Sequence, residues 1–173
     1  MKAVRLHGKE DLRVEDVDEP SPGAREVKLR NAYTGICGTD LHVYFTPEVS
    51  GFDFSQPNEL TGATLPQVFG HEFSGTVVEV GEGVTGVAEG DRVAVWPLHS
   101  CGSCAACVRG LHSGCRRLAC QGISSPGGGM SAFTTVRADK VFVLPEGVDL
   151  LLGALVEPMA TGWHAVKRSG VHP

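Results

Sequence analysis

Apolar residues in this chain recur mostly every second position, the period of a half-buried strand. "KAVRL" (2–6) and "LRVEDV" (12–17) read as a strand pair joined at Gly8-Lys9. "EVKLRNAYTGIC" (26–37) alternates as a strand and runs into Gly38. "EFSGTVVEVG" (72–81) and "DRVAVWPL" (91–98) are β-branched runs separated by glycine-rich turns. "SAFTTVRADKVFVLP" (131–145) reads as two strands with a turn near Ala138-Asp139. Short strands at this spacing predict a mainly β chain closed as a barrel. From 44 to 66 the pattern dissolves into Gly, Pro, Ser and Asn, too long for a plain connector and expected to be a surface loop near function. After Asp149 the period becomes helical, with Leu151, Leu155, Met159, Trp163 and Val166 on one stripe. Pro158 suits a helix first turn, Lys167 and Arg168 its last turn, and Gly170 a stop.

Composition adds limits. The chain has 173 residues, 42% hydrophobic and 20% charged, with formal charge −5. That balance excludes nucleic acid and an anionic membrane surface as partners, which both need clustered Lys and Arg. The start "MKAVRLHGKE" has no apolar signal region, and no run approaches the roughly 18 apolar residues of a membrane span. The expected compartment is the cytoplasm, where six cysteines are better read as metal ligands or plain small hydrophobes than as disulfides.

Four of those cysteines, Cys101, Cys104, Cys107 and Cys115, follow a C-x2-C-x2-C-x7-C spacing within a lobe spanning 97–120. Thiolates two residues apart wrap one cation in a tight turn, and four sulfurs complete a tetrahedral zinc shell, so this site is read as structural. His112 lies inside the lobe and is not needed as a ligand; Cys120 lies outside the pattern and reads as a small hydrophobe. A second, open site is suggested by "GICGTDLH" (35–42) and "FGHEFSG" (69–75). Cys37 and His71 are a plausible sulfur and nitrogen pair. A catalytic zinc needs a third protein ligand, for which Glu72 and Glu157 both qualify. Thr39-Asp40 also reads as a helix cap, which does not exclude a functional role. His7, His99, His164 and His172 carry no partner pattern, and Trp96 and Trp163 are read as packing residues.

Together "KAVRLHG", "GICGTDLH", "GHEFSGTVVEVGEGVTGVAEGDRVAV", the four-cysteine lobe and "ALVEPMATGWHAVKRSG" resemble the zinc-dependent medium-chain alcohol dehydrogenases, most closely their 2,3-butanediol and polyol branch. The resemblance runs over residues 1–173 and implies a GroES-like β-barrel catalytic domain with a structural-zinc lobe and a helical segment at 149–169. It implies catalytic-zinc ligands at Cys37, His71 and Glu157, with Glu72 an exchanging alternative and Asp40 orienting a ligand. Thr39 would take the substrate hydroxyl proton, His42 relay it outward, and Thr161 lie against the nicotinamide of NAD or NADP. The implied activity is oxidation of a small secondary alcohol or diol to a ketone, by a homo-oligomer (dimer or tetramer) at full length. A zinc-stabilised binding module is the alternative, distinguished by holding one metal and not two; a disulfide-bonded structural domain is a third reading, which thiol titration settles.

The family's other half is a Rossmann domain opening on a strand, a glycine turn and a helix. Gly81, Gly83 and Gly86 form a literal G-x-G-x-x-G, but the β-run "RVAVW" follows where the fingerprint requires a helix. These glycines are read as barrel turns. Nothing after Gly170 supplies the motif, so the 173-residue polypeptide by itself is expected to be inactive, and its 150–168 segment to be mobile, swapped or packed on another chain.

Overall fold

The computed structural model describes residues 1–171; His172 lies outside them. The central element is a five-stranded antiparallel sheet. In it β3 (Glu26–Thr34) pairs with β5 (Phe73–Val80), which pairs with β6 (Arg92–Val95); β9 (Phe133–Arg137) flanks β3 and β10 (Val141–Val143) flanks β6. A second sheet joins β1 (Lys2–Gly8), β2 (Asp11–Asp16) and β4 (Gln67–Val68), and a short ladder pairs β7 (Leu98–His99) with β8 (Ala119–Cys120). The protein is mainly β, as the alternation predicts.

Alternate positions of the central sheet point inward. Val27, Leu29, Phe73, Val77, Val93, Val95, Val136 and Val141 form one buried cluster. Burying side chains of this size contributes about 1.5–3 kcal/mol each. A second cluster, Leu6, Val43, Phe69, Ile123 and Cys120, draws on β1 of the three-stranded sheet, the helix Gly38–Phe45 and β8. Cys120 therefore packs as the small hydrophobe expected of it.

The structure departs from the alternation in four places. First, β3 stops at Thr34, and the residues after it turn into a helix, α1 (Gly38–Phe45), beginning where an irregular stretch was expected a few residues later. Second, the run 91–98 is broken: Pro97 has no N–H to continue a ladder, and the chain leaves β6 to enter the lobe. Third, Trp163 is 66% exposed and does not pack in the core. Fourth, the segment after Asp149 divides. α2 (Leu150–Ala154) is capped by the Asp149 carboxylate, which accepts from Leu152 N–H, and lies on its own barrel. There Gly153 approaches so closely that a Cβ would meet Leu144 at 2.7 Å, and the Ser74 hydroxyl donates to the Leu150 carbonyl. α3 (Val156–Ser169) is helical but buries none of its residues, and Met159, Trp163 and Val166 face outward.

The string Gly81–Gly86 forms turns between β5 and β6. Gly83 and Gly86 have φ of 75° and 78°, a region open to glycine. No helix follows, so no N-terminus is available there to hold a pyrophosphate.

Candidate metal centres

Four sulfurs meet in the lobe. Sγ separations are 3.9 Å (Cys101–Cys107), 3.5 Å (Cys104–Cys107) and 4.0 Å (Cys104–Cys115). A disulfide requires about 2.05 Å, and all six cysteines are free. Tetrahedral zinc with sulfur at roughly 2.3 Å has sulfur–sulfur edges of about 3.8 Å, so the residues fit that ion. The backbone is arranged for thiolates. N–H groups of Ser103 and Cys104, with the Ser103 hydroxyl, bring Cys101 down to about 5. Those of Cys107 and Arg116 bring Cys104 down to about 7. Burial, with the neighbouring sulfurs, pushes Cys107 up to about 11. His112 is not a member: its Nδ1 faces Ser100 Oγ at 3.2 Å.

The second cluster is built by strand register. Antiparallel pairing sets Thr34 opposite Phe73, so the turn leaving β3 runs beside His71 and Glu72. Gly35 N–H donates to the Glu72 carbonyl at 2.7 Å. Two residues on, Cys37 caps α1. Ligand atoms of Cys37, His71 and Glu72 all lie within 4.8 Å of one another. A sulfur, an imidazole and a carboxylate are a donor set suited to zinc with one position left open.

Asp40 ties this cluster to the helix. Its Oδ2 accepts from Cys37 N–H at 2.9 Å, and its Oδ1 faces His71 Nδ1 at 3.3 Å. The latter contact is close but misaligned, leaving both buried atoms without a hydrogen bond. It places a carboxylate behind the imidazole, an arrangement common to metal-binding histidines. Burial works against the His71 cation, but Asp40 and Cys37 outweigh it and raise the group to about 9. A metal must therefore displace a proton there.

The other expected site residues fall around this cluster. Thr39 Oγ1 lies 3.6 Å from Cys37 Sγ. His42 is exposed one helical turn further on, with its carbonyl accepting from Thr46. Glu157 is outside the three-residue set, in the first turn of α3. Burial raises its pKa, and the charges of His71 and Glu72 both act on it, so it shares their field. Thr161 is exposed, donates to the Glu157 carbonyl at 3.5 Å and lines with Glu157 an apolar cavity of about 530 Å³.

One contributor was not singled out from sequence. Gly35 carries no Cβ because that atom would sit 2.2 Å from Glu72 Oε2. The signal was present in a glycine standing between a strand end and a ligand cysteine.

Residues 23–146 match the model of the alcohol dehydrogenase GroES-like domain. The chain is 41% identical over 172 residues to a 2-dehydro-3-deoxy-L-galactonate 5-dehydrogenase of Pseudoalteromonas atlantica, covering 98% of this chain and 46% of that protein. The crystal structure of 2R,3R-butanediol dehydrogenase from Bacillus subtilis superposes with a TM-score of 0.88 at 38% identity, over 98% of this chain and 48% of the other. A thermostable alcohol dehydrogenase from Pyrobaculum aerophilum, solved with cobalt and zinc bound, superposes at 0.82 with 28% identity, over all of this chain and 50% of the other. The chain spans about half the length of the curated relatives it matches. With its curled five-stranded sheet, its four-sulfur lobe and its Cys37–His71–Glu72 cluster, this chain belongs to the zinc-dependent medium-chain alcohol dehydrogenases, in their butanediol and polyol branch, through its GroES-like domain.

Proposed function

We propose that the protein oxidises a small secondary alcohol or vicinal diol, resembling 2,3-butanediol, to a ketone with NAD or NADP, and that this chain carries its two zinc sites. The observation carrying this reading is the convergence of Cys37, His71 and Glu72, with the charges of His71 and Glu72 acting on Glu157.

When bound, zinc at this site acts as a Lewis acid on the alcohol oxygen and makes its proton easier to remove. Cys37 and His71 hold the metal, with a carboxylate as third ligand. The distances favour Glu72, and the family resemblance favours Glu157. Thr39, beside the Cys37 sulfur, is placed to accept the substrate hydroxyl proton. His42, one turn along α1 and exposed, is placed to pass it to solvent. Asp40 holds the His71 ring in one orientation. Thr161, which lines the cavity with Glu157, is the residue this reading sets against the nicotinamide. The four lobe thiolates hold the second zinc and take no part in the reaction.

The reading also includes a homo-oligomer, and work in the cytoplasm; no helix among the described residues is long and apolar enough to cross a membrane.

Metal analysis of the purified chain tests the proposal. About two zinc per chain are expected. Cobalt replacing zinc at the Cys37 site is expected to change its visible spectrum when 2,3-butanediol is added. One metal per chain with a spectrum indifferent to diol would leave the binding-module reading in place. Glu72→Gln and Glu157→Gln, compared for loss of the second metal, decide the third ligand.

A further inference from the structure

A cavity of about 700 Å³ has none of Cys37, His71 or Glu72 in its walls. It opens between the lobe, the start of β7 and the tight turn Ala138–Lys140 that joins β9 to β10. Lys140 faces it, although this lysine is only 8% exposed. The Trp96 N–H donates to the Lys140 carbonyl at 2.8 Å, and the Lys140 Nζ lies 4.0 Å from the centre of the Trp96 ring. Ring and ammonium are thus held together by one backbone pairing.

Among the described residues, no carboxylate pairs with that ammonium. Asp139, its neighbour, is engaged by Arg137 through Nε at 2.9 Å and Nη2 at 3.1 Å. Glu26, the other acid on the wall, accepts from Gly23 N–H at 2.9 Å. The Trp96 face covers only one side of the ammonium, and its other side is turned to the cavity. His99, on the same wall, has its Nε2 3.0 Å from Gln121 Oε1.

We propose that Lys140 anchors a second binding site, separate from the Cys37–His71–Glu72 cluster, for a small molecule bearing an anionic oxygen group, a phosphate or a carboxylate. The ammonium supplies the charge, the Arg137 edge and the Thr135 and Ser100 side chains line the approach, and Trp96 fixes the lysine in place.

The chain has two tryptophans, so Trp163→Phe leaves Trp96 as sole fluorescent reporter. Sodium phosphate and sodium acetate are titrated against sodium chloride at constant ionic strength. A saturable change in Trp96 emission is expected with phosphate or acetate, absent with chloride, and weakened at least tenfold by Lys140→Met in a chain with unchanged circular dichroism. The anion that saturates at lower concentration identifies the group. A second measurement needs no variant: the same anion is expected to slow acylation of Lys140 Nζ by an amine-reactive ester, read by mass spectrometry of the unmodified sequence. No saturable response, a response that merely follows ionic strength, an equal response in folded Lys140→Met, or no protection from acylation would overturn the proposal.

Discussion

Replacing Gly35 by Ala adds one methyl group to the turn that delivers Cys37. The new Cβ would lie 2.2 Å from Glu72 Oε2, 3.2 Å from Glu72 Cβ and 3.3 Å from its Cδ. An ordinary contact begins at 3.4 Å, so the carboxylate oxygen must retreat by about 1.2 Å. Metal ligands tolerate displacements of only about 0.5 Å before geometry is lost. The carboxylate is the free end of a side chain and can swing, so the overall cost to folding is held to about 1–3 kcal/mol, the range for overpacking. Affinity at the Cys37 site should fall further, by roughly 10–100-fold, the range seen when a ligand loses its support. The assay is zinc competition with a chromogenic chelator, in which the four-cysteine site is an internal control that should keep its metal. Unchanged affinity in Gly35→Ala, alongside weakened binding in Glu72→Gln, would refute the reasoning, because the carboxylate would then have another way to reach the metal.

Other consequences are equally direct. Cys115→Ser should remove one metal equivalent and free the remaining lobe thiols for titration, while circular dichroism of the barrel is retained. Phe73→Ala deletes a ring that is 1% exposed and should cost about 3–5 kcal/mol, measured as a lower urea midpoint at constant slope. His99 is half-buried with its pKa lowered, so the folded state resists protonation more than the unfolded state does. Its contribution is fully present above the unfolded value of 6.5 and is lost as pH falls towards the folded one. Urea melts at pH 7 and pH 5 should therefore show a smaller acid loss for His99→Gln than for the parent; equal losses would contradict this assignment.

The sequence by itself determined the elements whose causes are local. The C-x2-C-x2-C-x7-C spacing confines four sulfurs to one turn, and their separations of 3.5–4.0 Å follow from it. Alternation over 26–37 and the β-branched runs at 72–81 and 91–98 were enough to locate β3, β5 and β6, because a pleated strand turns successive side chains to opposite faces. The β-run after Gly86 was enough to exclude a nucleotide turn there. What lay beyond local pattern depended on pairing between distant segments. Cys37 and Glu72 are 35 positions apart, and only the register of β3 against β5 brings them to one point. A shift of one residue would turn every side chain of the strand to the opposite face. Spacing likewise left Glu72 and Glu157 equivalent. In the fold Glu72 offers an oxygen within 4.8 Å of the Cys37 and His71 ligand atoms, while Glu157 stands in the first turn of α3 with the charges of His71 and Glu72 acting on it. Lys140 and Trp96, unremarkable 44 positions apart, become a stacked pair because β6 and β10 run side by side. A sequence records which groups are available; the register of its strands decides which of them meet.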